Sequence, residues 1–442
     1  MKITVVGGGI SGVSAAYLLS QNTKNSVVLV EKEKYIGGKA GTVKDEGYLI
    51  ETGPNGFLDN KKEILNLIEE SGFEDNVILS KDESRKRYIF SRNRLWQLPE
   101  SPAKFLINRF LSTKGKIRIL KEPFIKPFYQ DETLDRFVTR RLGKEFLDKL
   151  IGPMSCGVYA GNPKYMSMNA TFKKIKDIEI KYSSLIKGLI AMMREKKANT
   201  KSASGPFSAK LLSFKDGVGS FINHLSKNID TVNDEVIGIS KYNQGYRIIG
   251  KDKTIESDIV VFAVPSYSLS GIISSLDEKL SKDLNNIPYA PLSVVSLGFE
   301  KKNMPDVVNS FGYLFDLNSI EDVIGVLFDS SIFDFRSGSD KLLSRVVIGG
   351  GVREKSAFKK NQVSIALKEL QRSAGIFQPF EYSKVVIHKK AIPQYGLNHK
   401  TVLDKIQDFE NRHRGIFITG NAFYGVSLND CIKSSYNILK RI

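Results

Sequence analysis

The chain has 442 residues, 41% hydrophobic and 26% charged, a composition that is typical of a globular protein and excludes a disordered or fibrous one. Lys and Arg number 66 against 48 Asp and Glu, a formal net charge of +18, which predicts an acidic partner unless the whole proteome is lysine-rich. The sequence contains no nucleic-acid-binding signature, so a membrane surface or an acidic small molecule is favoured. The longest apolar run, 259–264, is too short to cross a bilayer.

Cysteine and histidine usage argues against disulfides and metal sites. The two cysteines, Cys156 and Cys431, stand far apart, and the four histidines have no paired ligand spacing. We therefore predict reduced thiols and no metal. The sequence runs from Met1 directly into an apolar strand, so we expect no signal peptide and a cytoplasmic location.

The first predicted elements form a βαβ unit. Apolar runs at 2–6 and 27–31 predict buried strands, and the small residues of 11–20 predict the helix between them. A glycine-rich turn joins the first strand to the helix. This order is the usual context for binding a dinucleotide phosphate.

The turn carries the spacing G-x-G-x-x-G. Gly7 permits the tight turn, Gly9 lets a pyrophosphate approach the backbone, and Gly12 lets helix and strand pack closely. Glu31 ends the second strand, where a carboxylate accepts hydrogen bonds from a ribose. A glycine turn without a ligand is the alternative. The candidate contacts here are Gly7, Gly9, Ile10, Ser11, Gly12, Glu31 and Lys32.

A second glycine-rich stretch follows at 37–42, and a Gly-Pro turn lies within 51–55. With these additions the sequence resembles the flavin-containing amine oxidase superfamily. The resemblance implies that FAD phosphates lie along the second glycine pair and that the isoalloxazine lies near the Gly-Pro turn. Lys39 departs from the Arg usual in that family and lacks its bidentate fork. The implied FAD contacts are Gly38, Lys39, Thr42, Gly53, Pro54 and Asn55.

The segment 101–130 combines seven Lys or Arg and one acid with interleaved large apolar side chains. These apolar residues include Phe105, Phe110, Ile119, Phe124 and Phe128. This mixture is typical of a surface that docks on anionic lipid, which predicts peripheral contact with the inner face of the cell membrane. The alternative is a solvated basic face over a helical core. The polar segment 194–206 predicts a mobile loop.

Later segments predict how the sheets are arranged. The stretch 254–265 predicts a strand pair that returns to the first sheet, so the nucleotide domain is expected to be discontinuous. The stretches 294–299 and 345–348 predict strands of a second sheet. We interpret that sheet as a substrate domain.

The C-terminal end carries another turn-and-helix motif. Residues 415–420 predict a buried strand, and a helix is expected from Leu428 onward. Between them, 420–432 resembles the oxygen-dependent porphyrinogen oxidases. The resemblance implies that Asn421 meets the ribityl-phosphate part of FAD and that the amide of Val426 faces the flavin, where a helix N-terminus would stabilise the reduced form. The candidate contacts are Gly420, Asn421, Gly425, Val426 and Ser427, with Val236 from mid-chain.

Shorter matches to the same family extend along nearly the whole chain. They lie at 140–145, 157–163, 182–189, 312–314, 329–333 and 391–399. Besides Lys39, three positions depart from the family: His388 replaces a common Trp, Asn398 replaces the Gly before His399, and Ser435 replaces a Gly that is frequent there. These departures weaken the substrate prediction more than the cofactor prediction.

The resemblance implies an FAD-dependent oxidase that converts protoporphyrinogen IX or coproporphyrinogen III to the porphyrin in heme biosynthesis. Successive hydrides would pass to flavin N5, and dioxygen would take up the electrons as hydrogen peroxide. No catalytic side chain is assigned. Lys104 and Arg94 are candidates for binding the substrate carboxylates, although exposed solubility is the simpler role for any one lysine. We expect a monomer or homodimer, and the choice between the two tetrapyrroles stays open.

Three other functions share this scaffold: a flavin amine oxidase, a carotenoid-type desaturase and a flavin-free carrier resembling the prenylated-GTPase dissociation inhibitors. Trp96 is the only tryptophan, whereas amine oxidases of this scaffold usually place a Trp before the last motif. Glu31 and Asn421 argue against the carrier. A desaturase would have a longer apolar tunnel, which the sequence does not test.

The predicted fold class is α/β (α+β), with a discontinuous Rossmann-like FAD-binding domain, a mixed-sheet substrate domain and a mostly helical, membrane-docking subdomain. The FAD-binding domain is predicted to comprise 1–60, 205–290 and 385–442. The substrate domain comprises 61–90 and 291–384, and the helical subdomain comprises 91–204.

Overall fold

A computed structural model of the chain describes residues 1–99, 109–198 and 209–442, and these residues form two compact units. Unit 1 comprises Met1–Ser80, Lys210–Pro288 and Asn398–Ile442. Unit 2 comprises Lys81–Ala209 and Tyr289–Leu397. The predicted α/β class with several sheets, one of them mixed, is confirmed.

A five-stranded parallel sheet forms the centre of unit 1. In spatial order its strands are Asp230–Asn233, Ser26–Glu31, Lys2–Val6, Ile259–Phe262 and Ile416–Ile418. The inner strands are apolar and almost wholly buried, as expected for parallel strands covered on both faces. Because the strands are parallel, the turns that follow Val6 and Ile418 leave the same edge of the sheet. That edge is where nucleotides bind in such folds.

Helices and three smaller sheets complete unit 1. The small sheets are antiparallel and pair Thr42–Asp45 with Tyr48–Glu51, then Phe57–Leu58 and Val77–Leu79 with Leu211–Phe214, and last Val236–Tyr242, Gly245–Gly250 and Thr254–Ser257. The helices are Ile10–Ser20, Lys62–Glu70, Val218–Ser226, Ser266–Ile273, Glu278–Asn285, His399–Arg412 and Leu428–Leu439.

Unit 2 is built on a seven-stranded mixed sheet. In spatial order its strands are Tyr382–Pro393, Tyr289–Glu300, Lys341–Gly349, Val323–Leu327, Gly312–Phe315, Arg87–Ser91 and Arg94–Gln97. Its helices are Thr113–Leu120, Leu134–Arg141, Lys144–Phe146, Gly152–Tyr159, Met168–Thr171, Lys173–Tyr182, Leu185–Ala198, Asp329–Ile332 and Gln362–Ala374. No helix within the described ranges is long and apolar enough to cross a membrane.

The structure corrects several predicted boundaries. Residues 61–80 belong to unit 1 and 385–397 to unit 2, the reverse of the prediction, and the helical segment forms one compact unit with the mixed sheet. Only Ile259–Phe262 joins the first sheet, because Thr254–Ser257 pairs with Gly245–Gly250 in a separate sheet. The predicted loop at 194–206 begins as helix up to Ala198, and its remainder lies outside the described residues.

Candidate functional site

The glycines of the first turn are fixed by close backbone contacts. Gly7 has φ +109°, and a Cβ there would lie 2.7 Å from the carbonyl oxygen of Ala263. A Cβ on Gly12 would lie 1.8 Å from the carbonyl oxygen of Gly7. Gly9 differs, because a Cβ there would meet no heavy atom within 4 Å. The turn therefore needs Gly7 and Gly12 to fold, while Gly9 faces open space that a ligand can occupy.

The N-terminus of the helix that follows the turn is suited to binding an anion. Gly9 is its N-cap and supplies no side-chain cap, and its first turn contains no acidic residue. The opening amides of a helix have no intrahelical acceptor and carry positive partial charge. A phosphate placed at Ile10 and Ser11 would satisfy these amides.

Glu31 is held in place by backbone amides on both sides. Its Oε2 accepts from the Gly8 amide at 2.5 Å and its Oε1 from the Glu33 amide at 2.9 Å. Asn233, which is absent from the predicted contacts, donates to the carbonyl oxygens of Glu31 and Glu33 at 2.9 and 2.7 Å. The Nζ of Lys32 lies 4.0 Å from two carboxylates and is exposed, so Lys32 has the weakest case as a cofactor contact.

The second glycine pair lies against the first turn. The Gly37 amide donates to the Gly8 carbonyl oxygen at 2.9 Å, and a Cβ on Gly38 would lie 3.2 Å from Gly9 Cα. A Cβ on Gly53 would lie 2.0 Å from the Lys39 carbonyl oxygen. Three stretches that are distant in sequence thus form one continuous glycine-lined wall.

Thr42 and Asn55 are linked to neighbouring elements of unit 1. The Thr42 hydroxyl donates to Oε2 of the fully buried Glu51 at 2.6 Å and accepts from the Gly219 amide at 2.8 Å. The Asn55 carbonyl oxygen accepts from the Ser213 hydroxyl at 2.9 Å. These bonds give the Thr42 side chain a role in supporting the wall.

Lys39 is the cation of this wall, and burial lowers its pKa from 10.5 to about 8. FAD phosphates would favour the charged lysine and raise that pKa in the complex. Below pH 8 the lysine is already charged, whereas above it binding must take up a proton. We therefore expect FAD affinity to fall by up to about tenfold per pH unit above about pH 8.

Titration of flavin fluorescence against protein at a series of pH values measures this dependence. Lys39→Arg is the matched variant, because arginine stays charged throughout and its affinity should stay flat with pH. Wild-type affinity that does not change above pH 8 would contradict the role assigned to Lys39.

The C-terminal loop 420–427 contains two glycines with positive φ and is contacted by the His399 side chain. Gly420 has φ +117° and Gly425 has φ +120°, values that other residues rarely adopt. Between them, the Phe423 carbonyl oxygen lies 2.9 Å from Nε2 of the buried His399. His399 had been identified only by family similarity, and the contact indicates that it holds this loop.

The two ends of the chain are in direct contact inside unit 1. The hydroxyl of buried Ser435, in the last helix, donates to the Ser11 carbonyl oxygen at 2.9 Å. The Asn429 side chain donates to the Leu58 carbonyl oxygen at 2.8 Å. Ser435, which departs from the family's glycine, therefore links the last helix to the first, and the sequence did not identify Ser11 as its partner. All predicted cofactor contacts lie in unit 1.

The wall has the features that a dinucleotide phosphate needs. The open face of Gly9, the uncapped helix N-terminus and the cationic Lys39 suit a pyrophosphate. No heavy atom lies within 4 Å of a Cβ built on Gly420, so that end of the site is also open at the backbone.

Of the predicted carboxylate-binding residues, only one can be placed. Arg94 is exposed in unit 2, and its guanidinium carbon lies 3.5 Å from the centre of the Trp96 ring. Lys104 lies outside the described residues. Within the described ranges, no group of three or more His, Cys, Asp or Glu is arranged to hold a metal ion.

Comparison with known proteins identifies the family. The family model "Flavin containing amine oxidoreductase" matches residues 10–438. The chain belongs to this family. It is accordingly an FAD-dependent oxidoreductase, and the predicted enzyme class and cofactor are confirmed.

Individual relatives match along almost the whole chain. Protoporphyrinogen oxidase 1, chloroplastic, of Spinacia oleracea is 28% identical over 470 residues, covering 99% of this chain and 83% of the relative. Coproporphyrinogen III oxidase of Bacillus subtilis (strain 168) is 25% identical over 458 residues, covering 97% and 95%. A crystal structure assigned as a protoporphyrinogen oxidase from Exiguobacterium sp. has a TM-score of 0.86 at 21% identity, covering 100% and 98%. At that identity the structural match shows the fold alone.

Proposed function

We propose that this chain oxidises a porphyrinogen, protoporphyrinogen IX or coproporphyrinogen III, to the corresponding porphyrin in tetrapyrrole biosynthesis. The observation that carries the proposal is that relatives named for both reactions align with 97–99% of the chain. Each oxidation removes six electrons, which FAD would accept as three hydrides at N5. Dioxygen would take up the electrons and yield three hydrogen peroxide molecules.

One role of the protein in this reaction is to bind FAD. We propose that the amides opening the helix Ile10–Ser20 bind the pyrophosphate, with Lys39 adding charge. Glu31, already oriented by two amides, would bind the adenosine ribose. Asn421 would meet the ribityl chain. Since the hydride passes to the cofactor, no side chain is assigned an acid or base role.

The substrate's propionates require cations, and the net charge of +18 favours an acidic ligand. We propose Arg94 and Lys104 for this role. Arg94 is exposed, and its stacking on Trp96 limits its freedom.

A fluorescence assay tests the substrate. The purified protein is supplied with protoporphyrinogen IX, coproporphyrinogen III or a polyamine in air, and fluorescence and peroxide are followed, because the porphyrin is fluorescent and the porphyrinogen is not. We expect faster porphyrin formation than autoxidation with one tetrapyrrole, and three peroxides for each porphyrin.

The other outcomes separate the alternatives. Peroxide with the polyamine alone would favour an amine oxidase. Porphyrin formation no faster than autoxidation with either tetrapyrrole would overturn the porphyrinogen proposal and leave the desaturase hypothesis to be tested. Protein that is colourless and cannot be reconstituted with FAD would favour the carrier.

We also propose that part of the segment 101–130 contacts anionic membrane. Ile117, Leu120, Phe124 and Tyr129 are 49–86% exposed beside the basic residues. Phe110, in contrast to the prediction, is buried in the core, and Phe105 lies outside the described residues. Sedimentation with phosphatidylglycerol vesicles tests the proposal: Phe124→Ser should reduce the bound fraction, whereas Phe377→Ser, at a similarly exposed phenylalanine of unit 2, should not.

A further inference from the structure

Asp430, in the first turn of the last helix, forms a charged pair with Lys61, a residue that lies in no predicted motif. Asp430 forms a capping box with Ser427: the Asp430 amide donates to the Ser427 hydroxyl at 3.1 Å, and Asp430 Oδ2 accepts from the Ser427 amide at 3.4 Å and also from the Ser427 hydroxyl at 2.6 Å. Its other oxygen, Oδ1, accepts a hydrogen bond from Nζ of Lys61. Lys61 lies just before the helix Lys62–Glu70, so the pair joins two helices of unit 1.

The Asp430 carboxylate packs directly behind the loop proposed to face the flavin. A Cβ on Gly425 would lie only 2.4 Å from Asp430 Cγ. Gly425 immediately precedes Val426, whose amide is proposed to face the isoalloxazine. The carboxylate is therefore separated from the proposed flavin contact by little more than one peptide unit.

The charges of Asp430 and Lys61 are only partly screened by water. The Asp430 and Lys61 side chains are 27% and 29% exposed, so each acts through protein as well as solvent. A two-electron, one-proton reduction, which is a hydride transfer, adds one negative charge to a neutral flavin. An unneutralised carboxylate at Asp430 would repel that charge, whereas the ammonium of Lys61 offsets the repulsion.

We propose that Lys61 is a positioning residue for flavin reduction. Its ammonium neutralises the Asp430 carboxylate and thereby raises the reduction potential of the bound FAD. The inference rests on the proposed placement of FAD in unit 1. Neither side chain needs to touch the cofactor, since both act through the field at the start of the last helix.

The test is the midpoint potential of the purified holoprotein, read from flavin absorbance against a reference dye, with no substrate present. Lys61→Met should shift the potential to a more negative value, weakening the preference for reduced over oxidised flavin by about tenfold. Asp430→Asn should shift it to a more positive value. The double variant should return close to wild type, because both charges of the pair are then removed.

Lys62→Met is the matched control, because it removes the same charge from the next, exposed residue. The inference is overturned if Lys61→Met shifts the potential no more than Lys62→Met does, or if Lys61→Met and Asp430→Asn shift it in the same direction. Because the substrate is absent, failure of the porphyrinogen proposal would leave these shifts intact. FAD bound away from unit 1 would abolish them and would overturn both the placement and the inference.

Discussion

Replacing Gly12 by Ala is expected to abolish FAD binding, because the first helix could then no longer lie against the strand before it. The added methyl group would lie 1.8 Å from the carbonyl oxygen of Gly7 and 3.2 Å from Ala263 Cβ. The nearer atom is backbone, which cannot turn aside as a flexible side chain can. We expect the free energy of unfolding to fall by about 3 kcal/mol or more.

Chemical denaturation measures this loss, and flavin absorbance after desalting measures FAD retention. Gly9→Ala is the control, since its methyl group would meet no protein atom within 4 Å and its φ of −77° suits any residue. We expect the free energy of unfolding of the Gly9→Ala apoprotein to lie within about 0.5 kcal/mol of the wild-type value. Its FAD affinity should still fall by about tenfold or more, because the methyl group occupies the approach of the pyrophosphate. A Gly12→Ala protein as stable and as yellow as wild type would refute this geometry.

A buried ionic cluster in unit 2 gives the second large effect. It is formed by Glu122, Glu132, Arg140, Arg141, Lys176 and Glu179. Arg141 is fully buried and lies at 3.0 Å from Glu122 and 2.7 Å from Glu179, measured between guanidinium nitrogen and carboxylate oxygen. It also donates to the carbonyl oxygen of Ile125 at 2.9 Å. The cluster thereby anchors the segment that carries exposed Phe124.

Arg141→Met is expected to destabilise the protein by about 3–5 kcal/mol, because it leaves the buried carboxylate of Glu122 without its cation and removes one of the cations that pair with Glu179. Loss of a few °C to about 10 °C in melting temperature should accompany this change. Arg136→Met is the matched control: its side chain is 65% exposed and its nearest approach to Glu132 is 4.0 Å, so we expect a change within about 0.5 kcal/mol. Equal, small effects of both substitutions would show that the cluster does not anchor this segment.

The parts of the fold that follow from local sequence were predictable. The strand Lys2–Val6 and the start of the last helix at Leu428 have the predicted bounds, because apolar runs and glycine turns act over a few residues. The strand Thr254–Ser257 was wrongly placed because its partner depends on a hairpin register with Gly245–Gly250. Phe110 was placed at a membrane surface because composition does not distinguish a buried aromatic residue from an exposed one.

The same distinction applies to the candidate site. The glycine spacing and Glu31 could be predicted because they belong to one short βαβ unit, in which their separation along the sequence is typical. The bond from Ser435 to Ser11 spans 424 residues, and the pair Lys61–Asp430 spans 369, so no periodicity links the partners. The one available signal was Ser435, which replaces the family's glycine. A serine there predicts a hydrogen-bond partner but does not identify it.

A crystal structure of the chain grown with FAD is the most direct test of a site made by both ends of the polypeptide. We predict one FAD in unit 1, with its pyrophosphate at the amides after Gly9, its adenosine ribose on Glu31 and its ribityl chain beside Asn421. Electron density for FAD that touches only one of these ends, or that lies outside unit 1, would contradict the site.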